Sequence, residues 1–227
     1  MSYSMSQPPA PAPESCTDLL QIKLLFWGPG EAGKTTTYYR LQEIFQRFQV
    51  SEGFSISTTD ERTLWNDSVH FQFPMIPDTL DVVVNVATTT GQERFLATRD
   101  YILQNADGVV FVADSSWGLI EENLRSFEEL LHFTKQSTTP IIIQLNKRDL
   151  PDAIALADFL LEMDLPDTNH GPMGSQVVFE TIAASLEQKE KHAIQRMFIG
   201  LLETVVRRNM VDTRRKAHTK HKTGGVK

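Results

Sequence analysis

An apolar run, Ile22-Lys-Leu-Leu-Phe-Trp27, leads directly into Gly28-Pro-Gly-Glu-Ala-Gly33-Lys34-Thr35. No other segment of the chain limits its fold so closely. The pattern is GxxxxGK[ST], which works only where a buried strand enters a glycine-rich turn that opens a helix. Small residues let successive backbone N–H groups turn inward around phosphates, and the helix N-terminus adds a favourable dipole. Lys34 would reach the β- and γ-phosphates of a nucleotide, and the Thr35 hydroxyl would ligate Mg²⁺. Nucleotide contacts are therefore expected from Gly28, Gly30, Glu31, Ala32, Gly33, Lys34, Thr35 and Thr36. A chance Gly-rich turn is the alternative, and the strand–loop–helix order speaks against it.

The remaining pattern agrees with that order. Residues 1–18 hold Pro8, Pro9, Pro11 and Pro13 among Ser, Ala and Gln, and are expected as a disordered lead-in. Lys34 to about Val50 reads as helix, and Phe54 to Asp67 as an exposed loop without a sustained period. Val69, Phe71 and Phe73 alternate with polar residues as a half-buried strand, with Asp81–Val86 as its hairpin partner. Apolar strands follow at Gly108–Ala113, Ile141–Leu145 and Val177–Phe179. Helices are expected at Arg94–Gln104, Leu119–Gln136, Ala153–Met163 and Leu186 to about Asn209. Strands alternating with helices predict one α/β domain over residues 19–209: a mostly parallel central sheet with one antiparallel hairpin and helices on both faces. Residues 210–227 are expected as a basic, flexible tail.

Asn146-Lys147-Arg148-Asp149 lies at the carboxyl end of the strand Ile141–Leu145, where an open α/β sheet binds its ligands. The Asp149 carboxylate can accept two hydrogen bonds from guanine N1–H and the 2-amino group, a donor pair that adenine lacks. Asn146 would brace the loops, and the aliphatic stem of Lys147 would cover the base. The tetrapeptide alone is weak, since a solvated polar turn can look the same. Its weight comes from the phosphate loop 112 residues before it.

The ordered set of phosphate loop, Gly91-Gln92-Glu93 and Asn-Lys-x-Asp resembles the Ras superfamily of small GTPases, over about residues 20–206. Glu180-Thr181-Ile182-Ala183 is similar to that family's fifth motif, in which the backbone N–H at the Ala183 position reads guanine O6. One position departs. Ras-like proteins carry Asp three residues before the motif glycine, and this chain has Thr88. That threonine, Gly28-Pro-Gly30, Asp107-Gly-Val-Val-Phe-Val-Ala-Asp114 and Lys147-Arg-Asp-Leu-Pro151 together resemble the prokaryotic gliding-motility (Mgl-type) polarity GTPases. The resemblance implies a P-loop G-domain, GTP and GDP as ligands, Mg²⁺ as cofactor, and slow hydrolysis without an activating partner of the roadblock fold.

Phosphoryl transfer to water needs an aligned water, Mg²⁺ and positive charge on the transferring group. Gln92, directly after Gly91, is the candidate to orient that water, against the bland reading of a solvated loop glutamine. Thr63, six residues before Val69, is placed to deliver the first switch loop's Mg²⁺ ligand, with Thr58 and Thr59 as runners-up. Thr35 and Thr63 are thus the metal candidates. Arg62 occupies the position that in Mgl-type proteins resembles a built-in arginine finger, and a planar fork suits γ-phosphate oxygens. The alternative is an exposed arginine paired with Asp60, Glu61 or Asp67.

Charge separates the tail from the body. The chain carries −7, yet Arg207 to Lys227 hold eight basic residues against Asp212, so residues 1–206 carry −14. An acidic body argues against general nucleic-acid binding. The basic end could meet an anionic membrane weakly. The single cysteine, Cys16, suits a reducing compartment. Residues 1–18 show no basic-then-apolar leader, and neither Ser2 nor the closing Gly-Gly-Val-Lys offers a lipid site. A cytoplasmic protein is expected, peripheral at most. Two other function classes compete: a G-domain that holds nucleotide with little or no hydrolysis, which Thr88 favours, and a P-loop ATPase or kinase, which Asp149 opposes.

Overall fold

The computed structural model describes residues 18–51, 57–58, 62–63, 68–76, 80–89, 103, 105–135, 137–165 and 178–223, with backbone alone for 18, 51, 57–58, 62–63, 75–76 and 212–223. Strand β1 (Asp18–Trp27) runs into helix α1 (Lys34–Ile44), a single 3-10 turn (Gln46–Phe48) and β2 (Gln49–Ser51). Two short strands, β3 (Ser57–Thr58) and β4 (Arg62–Thr63), precede the hairpin β5 (Ser68–Ile76) and β6 (Leu80–Thr88). Then come β7 (Gly108–Asp114), a 3-10 turn (Trp117–Leu119), α2 (Ile120–Thr134), β8 (Ile141–Asn146), α3 (Leu156–Glu162), β9 (Val178–Glu180) and α4 (Gln188–Thr223).

Seven strands form one sheet in the order β2-β5-β6-β1-β7-β8-β9. From β6 to β9 every neighbouring pair is parallel, while β5 pairs antiparallel with both β6 and β2. The inner strands are covered on both faces, which is why they read as continuous apolar runs. On one face, Leu24, Phe26, Val84 and Val112 pack with Tyr38 and Leu41 of α1 and Phe198 and Leu201 of α4. On the other, Leu25, Trp27, Phe111 and Leu145 pack with Phe127 and Leu130 of α2 and Phe159 of α3. This arrangement brings the ends of β1, β7 and β8 to one edge of the sheet, where the motif loops lie.

Three expectations change. Helix α1 stops at Ile44 because Phe45 turns inward, its ring 5.4 Å from that of Phe73 and 5.2 Å from that of Phe198. The chain then becomes the edge strand β2, a second antiparallel pairing beyond the expected hairpin. The stretch expected as loop, 54–67, holds the small pairing of β3 with β4. Helix α4 continues past Asn209 to Thr223. Its apolar spacing ends near Val206, but residues 207–223 hold no Gly or Pro, so nothing in their composition breaks the helix. The helix expected at Arg94–Gln104 and the lead-in before Asp18 lie outside the described residues, apart from Leu103. Among the described residues, no helix is long and apolar enough to cross a membrane.

Candidate functional site

The phosphate loop is shaped by two close approaches. Gly28 has φ +147, and a Cβ there would lie 2.1 Å from the carbonyl oxygen of Val112 on β7. Gly33 has φ +102, and its Cβ would lie 2.2 Å from Asn146 Nδ2. Only glycine fits either place. Lys34 opens α1 and is buried; its Nζ donates to Gly28 O at 2.9 Å and to Pro29 O at 2.6 Å, which tucks the ammonium under the loop. Thr35 and Thr36 are exposed on the first turn, while the Thr37 hydroxyl folds back to donate to Gly33 O at 3.0 Å. No side chain caps this helix N-terminus. Its first N–H groups are left to meet an anion.

Asn146, the last residue of β8, is the hub of the site. Its Nδ2 donates to Ala32 O at 2.9 Å, and its Oδ1 accepts from Ala183 N at 2.9 Å and from the Thr181 hydroxyl at 3.1 Å. One buried side chain thus ties the phosphate loop to both base-side loops. Two residues earlier, Gln144 Nε2 donates to the Thr37 and Thr181 hydroxyls at 2.9 and 3.0 Å. Arg148 fastens the same loops, with Nε 2.7 Å from Glu180 Oε2 and its backbone N–H donating to Thr181 O at 3.2 Å. Asp149 is exposed in the turn that Leu150 N closes onto Lys147 O at 3.1 Å.

Ala183 is held from two sides. Its N–H, which the resemblance assigns to guanine O6, donates here to Asn146, and its carbonyl accepts from Arg40 Nε at 3.3 Å. Arg40 also pairs with Glu43, which pairs with Lys191 of α4. The hydrogen bond from Lys191, reinforced by Arg40, holds the Glu43 carboxyl below its ordinary range. Arg40, Gln144 and Thr181 were not singled out from the sequence. Gln144 alone carried a signal, a polar residue inside Ile141-Ile-Ile-Gln-Leu145, since such a residue needs an internal partner.

Gly91 and Gln92 lie outside the described residues, and for Arg62 and Thr63 only the backbone is described. Thr58 pairs with Arg62 and Ser57 with Thr63. Thr88 ends β6 beside Phe26 of β1 and is 1% exposed. Its hydroxyl has no hydrogen-bond partner among the described residues.

A glycine-rich phosphate loop between β1 and α1, tied by a buried asparagine to an Asn-Lys-x-Asp turn on a mostly parallel sheet, defines a small GTPase of the Ras superfamily. The profile "Arf: ADP-ribosylation factor family" matches residues 17–198, and the chain belongs to that family. It is 33% identical over 176 residues to the "Mutual gliding-motility protein MglA" of Myxococcus xanthus (strain DK1622), covering 73% of this chain and 88% of the relative. It is 28% identical over 140 residues to "ADP-ribosylation factor-like protein 14" of Mus musculus, covering 61% and 65%. The chain is thus a GTP-binding switch protein similar to the Mgl-type group.

Proposed function

We propose that the protein hydrolyses GTP to GDP and phosphate with Mg²⁺ and works as a nucleotide-dependent switch. The observation that carries this reading is Asn146, which joins the phosphate loop to the base-side loops. Lys34 and the N–H groups of the loop would hold the β- and γ-phosphates, and Asp149 would select guanine. Gln92 would orient the attacking water, and Arg62 would bring its guanidinium to the γ-phosphate when the loop carrying Thr63 closes.

Thr35 and Thr63 would hold Mg²⁺, which neutralises phosphate charge when bound. The exposed Thr35 hydroxyl suits that task, and the buried Thr88 hydroxyl, without a partner among the described residues, offers a hydrogen bond where a Ras-like protein has a carboxylate. Thr35 and Thr88 would suit the ion, with one charge fewer around it. That missing charge favours the second reading, a G-domain that retains nucleotide and hydrolyses little.

The resemblance to Mgl-type proteins implies a partner. A roadblock-fold activator would hold Gln92 and Arg62 in the closed arrangement, shifting a sparsely populated state. The protein would work in the cytoplasm, with the basic end of α4 giving at most weak, salt-sensitive contact with anionic membrane. GTP turnover with and without candidate roadblock proteins, with bound nucleotide identified by chromatography, tests the proposal. Bound guanine nucleotide with no turnover under either condition would leave only the nucleotide-holding module.

A further inference from the structure

Asp114 ends β7 next to Asn146 in the sheet, yet none of the roles above uses its side chain. The residue is 1% exposed. A carboxylate so deeply buried is costly unless it is paired and hydrogen-bonded. Here Oδ1 accepts from Ser116 N at 2.9 Å, and Oδ2 lies 2.7 Å from Lys147 Nζ as an ion pair without hydrogen-bond geometry, so the charge of Lys147 is what compensates this oxygen among the described residues. The backbone of Asp114 is held as firmly. Its N–H donates to Asn123 Oδ1 at 3.0 Å, and Asn123 Nδ2 donates to its carbonyl at 2.8 Å. Asn123 belongs to α2 and is fully buried, so Asp114 is a fixed point.

Lys147 is the opposite case. Its backbone sits at φ 63, the left-handed region that L-residues seldom occupy without support from their surroundings. Its side chain is long and one-third exposed, and on its own would sample many rotamers.

We infer that Asp114 is a positioning residue: its buried carboxylate anchors the Lys147 ammonium, so that the lysine's aliphatic stem is laid out in advance as a platform for the purine ring. Asn123 keeps the anchor in place from α2. This role rests on Lys147 covering the base, as its place in the Asn-Lys-x-Asp motif leads one to expect. A stem already in place spares the ordering cost of binding. It also lengthens residence, because the ring leaves when the stem swings away. The platform meets the flat face of any purine, so it adds affinity without adding choice; choice stays with Asp149.

Release of a fluorescent N-methylanthraniloyl-GDP from the full chain, chased with excess GDP, is the test. Asp114→Asn keeps the side-chain size and the acceptor for Ser116 N–H but lacks the charge. It should release nucleotide roughly tenfold faster, the scale of one charge-assisted contact, with the preference for guanine over xanthine unchanged. Lys147→Met keeps an unbranched stem of similar length without the ammonium, and its partly exposed site makes it the variant safer for folding. It should show the same acceleration, and adding Asp114→Asn to it should change the rate less than twofold. Wild-type release from Lys147→Met, or additive effects in the double variant, would overturn the positioning role. Lys147→Ala separates the two ideas. If it too releases nucleotide like wild type, Lys147 does not cover the base at all. If it is fast while Asp114→Asn and Lys147→Met are slow, only the role of Asp114 falls.

Discussion

Asn146 Nδ2 donates to the carbonyl oxygen of Ala32 at 2.9 Å, across 114 positions of sequence. Because its Oδ1 serves Ala183 and Thr181 at the same time, the phosphate and base-side loops share one buried bracket. Asn146→Ala strands the Ala183 N–H and the Thr181 hydroxyl, each costing about 1–3 kcal/mol when left unmet. The variant should unfold at lower urea and release guanine nucleotide faster. An unfolding midpoint equal to wild type would show that water replaces the side chain.

Gly28→Ala and Gly30→Ala should behave as opposites. The first drives a Cβ to 2.1 Å from Val112 O at φ +147, so the loop must shift. A loss of about 2 kcal/mol or more is expected, together with weakened nucleotide binding. A Cβ on Gly30 meets nothing within 4 Å. That variant should fold like wild type, and urea titration of the pair compares them directly.

Asp149→Asn should weaken GDP by roughly a hundredfold, the worth of two hydrogen bonds to a charged acceptor, and shift preference toward xanthine nucleotides. The amide places a donor where guanine also presents one. Competition between GDP and XDP in an equilibrium binding assay decides; unchanged selectivity would remove Asp149 from the base site.

Gln92→Leu should bind GTP nearly as well as wild type but hydrolyse it more slowly, since the change touches the water and not the ground-state phosphates. Arg62→Ala should lower activator-stimulated hydrolysis far more than affinity, by up to the ~10³–10⁵ of a full arginine finger. Single-turnover rates with saturating activator measure both. Equal rates for wild type, Arg62→Lys and Arg62→Ala would make Arg62 a surface residue.

Glu43 should give the fold part of its acid sensitivity. Lys191 first and Arg40 second hold its carboxyl below the ordinary value of 4.5. A carboxyl with a lowered folded pKa contributes its full stabilisation above the unfolded pKa and loses it as pH falls through the folded one. Glu43→Gln should therefore be less stable than wild type at neutral pH, and the two should converge as pH falls from the ordinary carboxyl range through the lowered folded pKa. Urea midpoints across that range would show it; parallel curves would mean that the pair adds nothing.

The parts of the fold that were legible are those in which neighbours in sequence carry the signal. Ile22–Trp27, Gly108–Ala113 and Ile141–Leu145 are apolar because both faces of their strands are covered. Val69, Phe71 and Phe73 alternate because β5 lies toward the edge. Strand β2 was not legible: three residues, Gln49-Val-Ser51, show no period, and the turn before them depends on Phe45 meeting Phe73 and Phe198. The site divides the same way. Lys34, Asn146 and Asp149 stand in local motifs, whereas Arg40 reaches Ala183 across 143 positions and Gln144 reaches Thr37 across 107. No local spacing encodes such contacts.

Every residue of β7 is buried, and the strand lies between β1 and β8 with both helical layers over it. Its amides should therefore exchange with solvent hydrogen only through global unfolding. The close approach of Gly28 to Val112 and the hold of Lys147 on Asp114 both bear on this strand. Nucleotide exchange should then proceed without the sheet opening, because both loops rest on a strand whose amides open only with the whole domain.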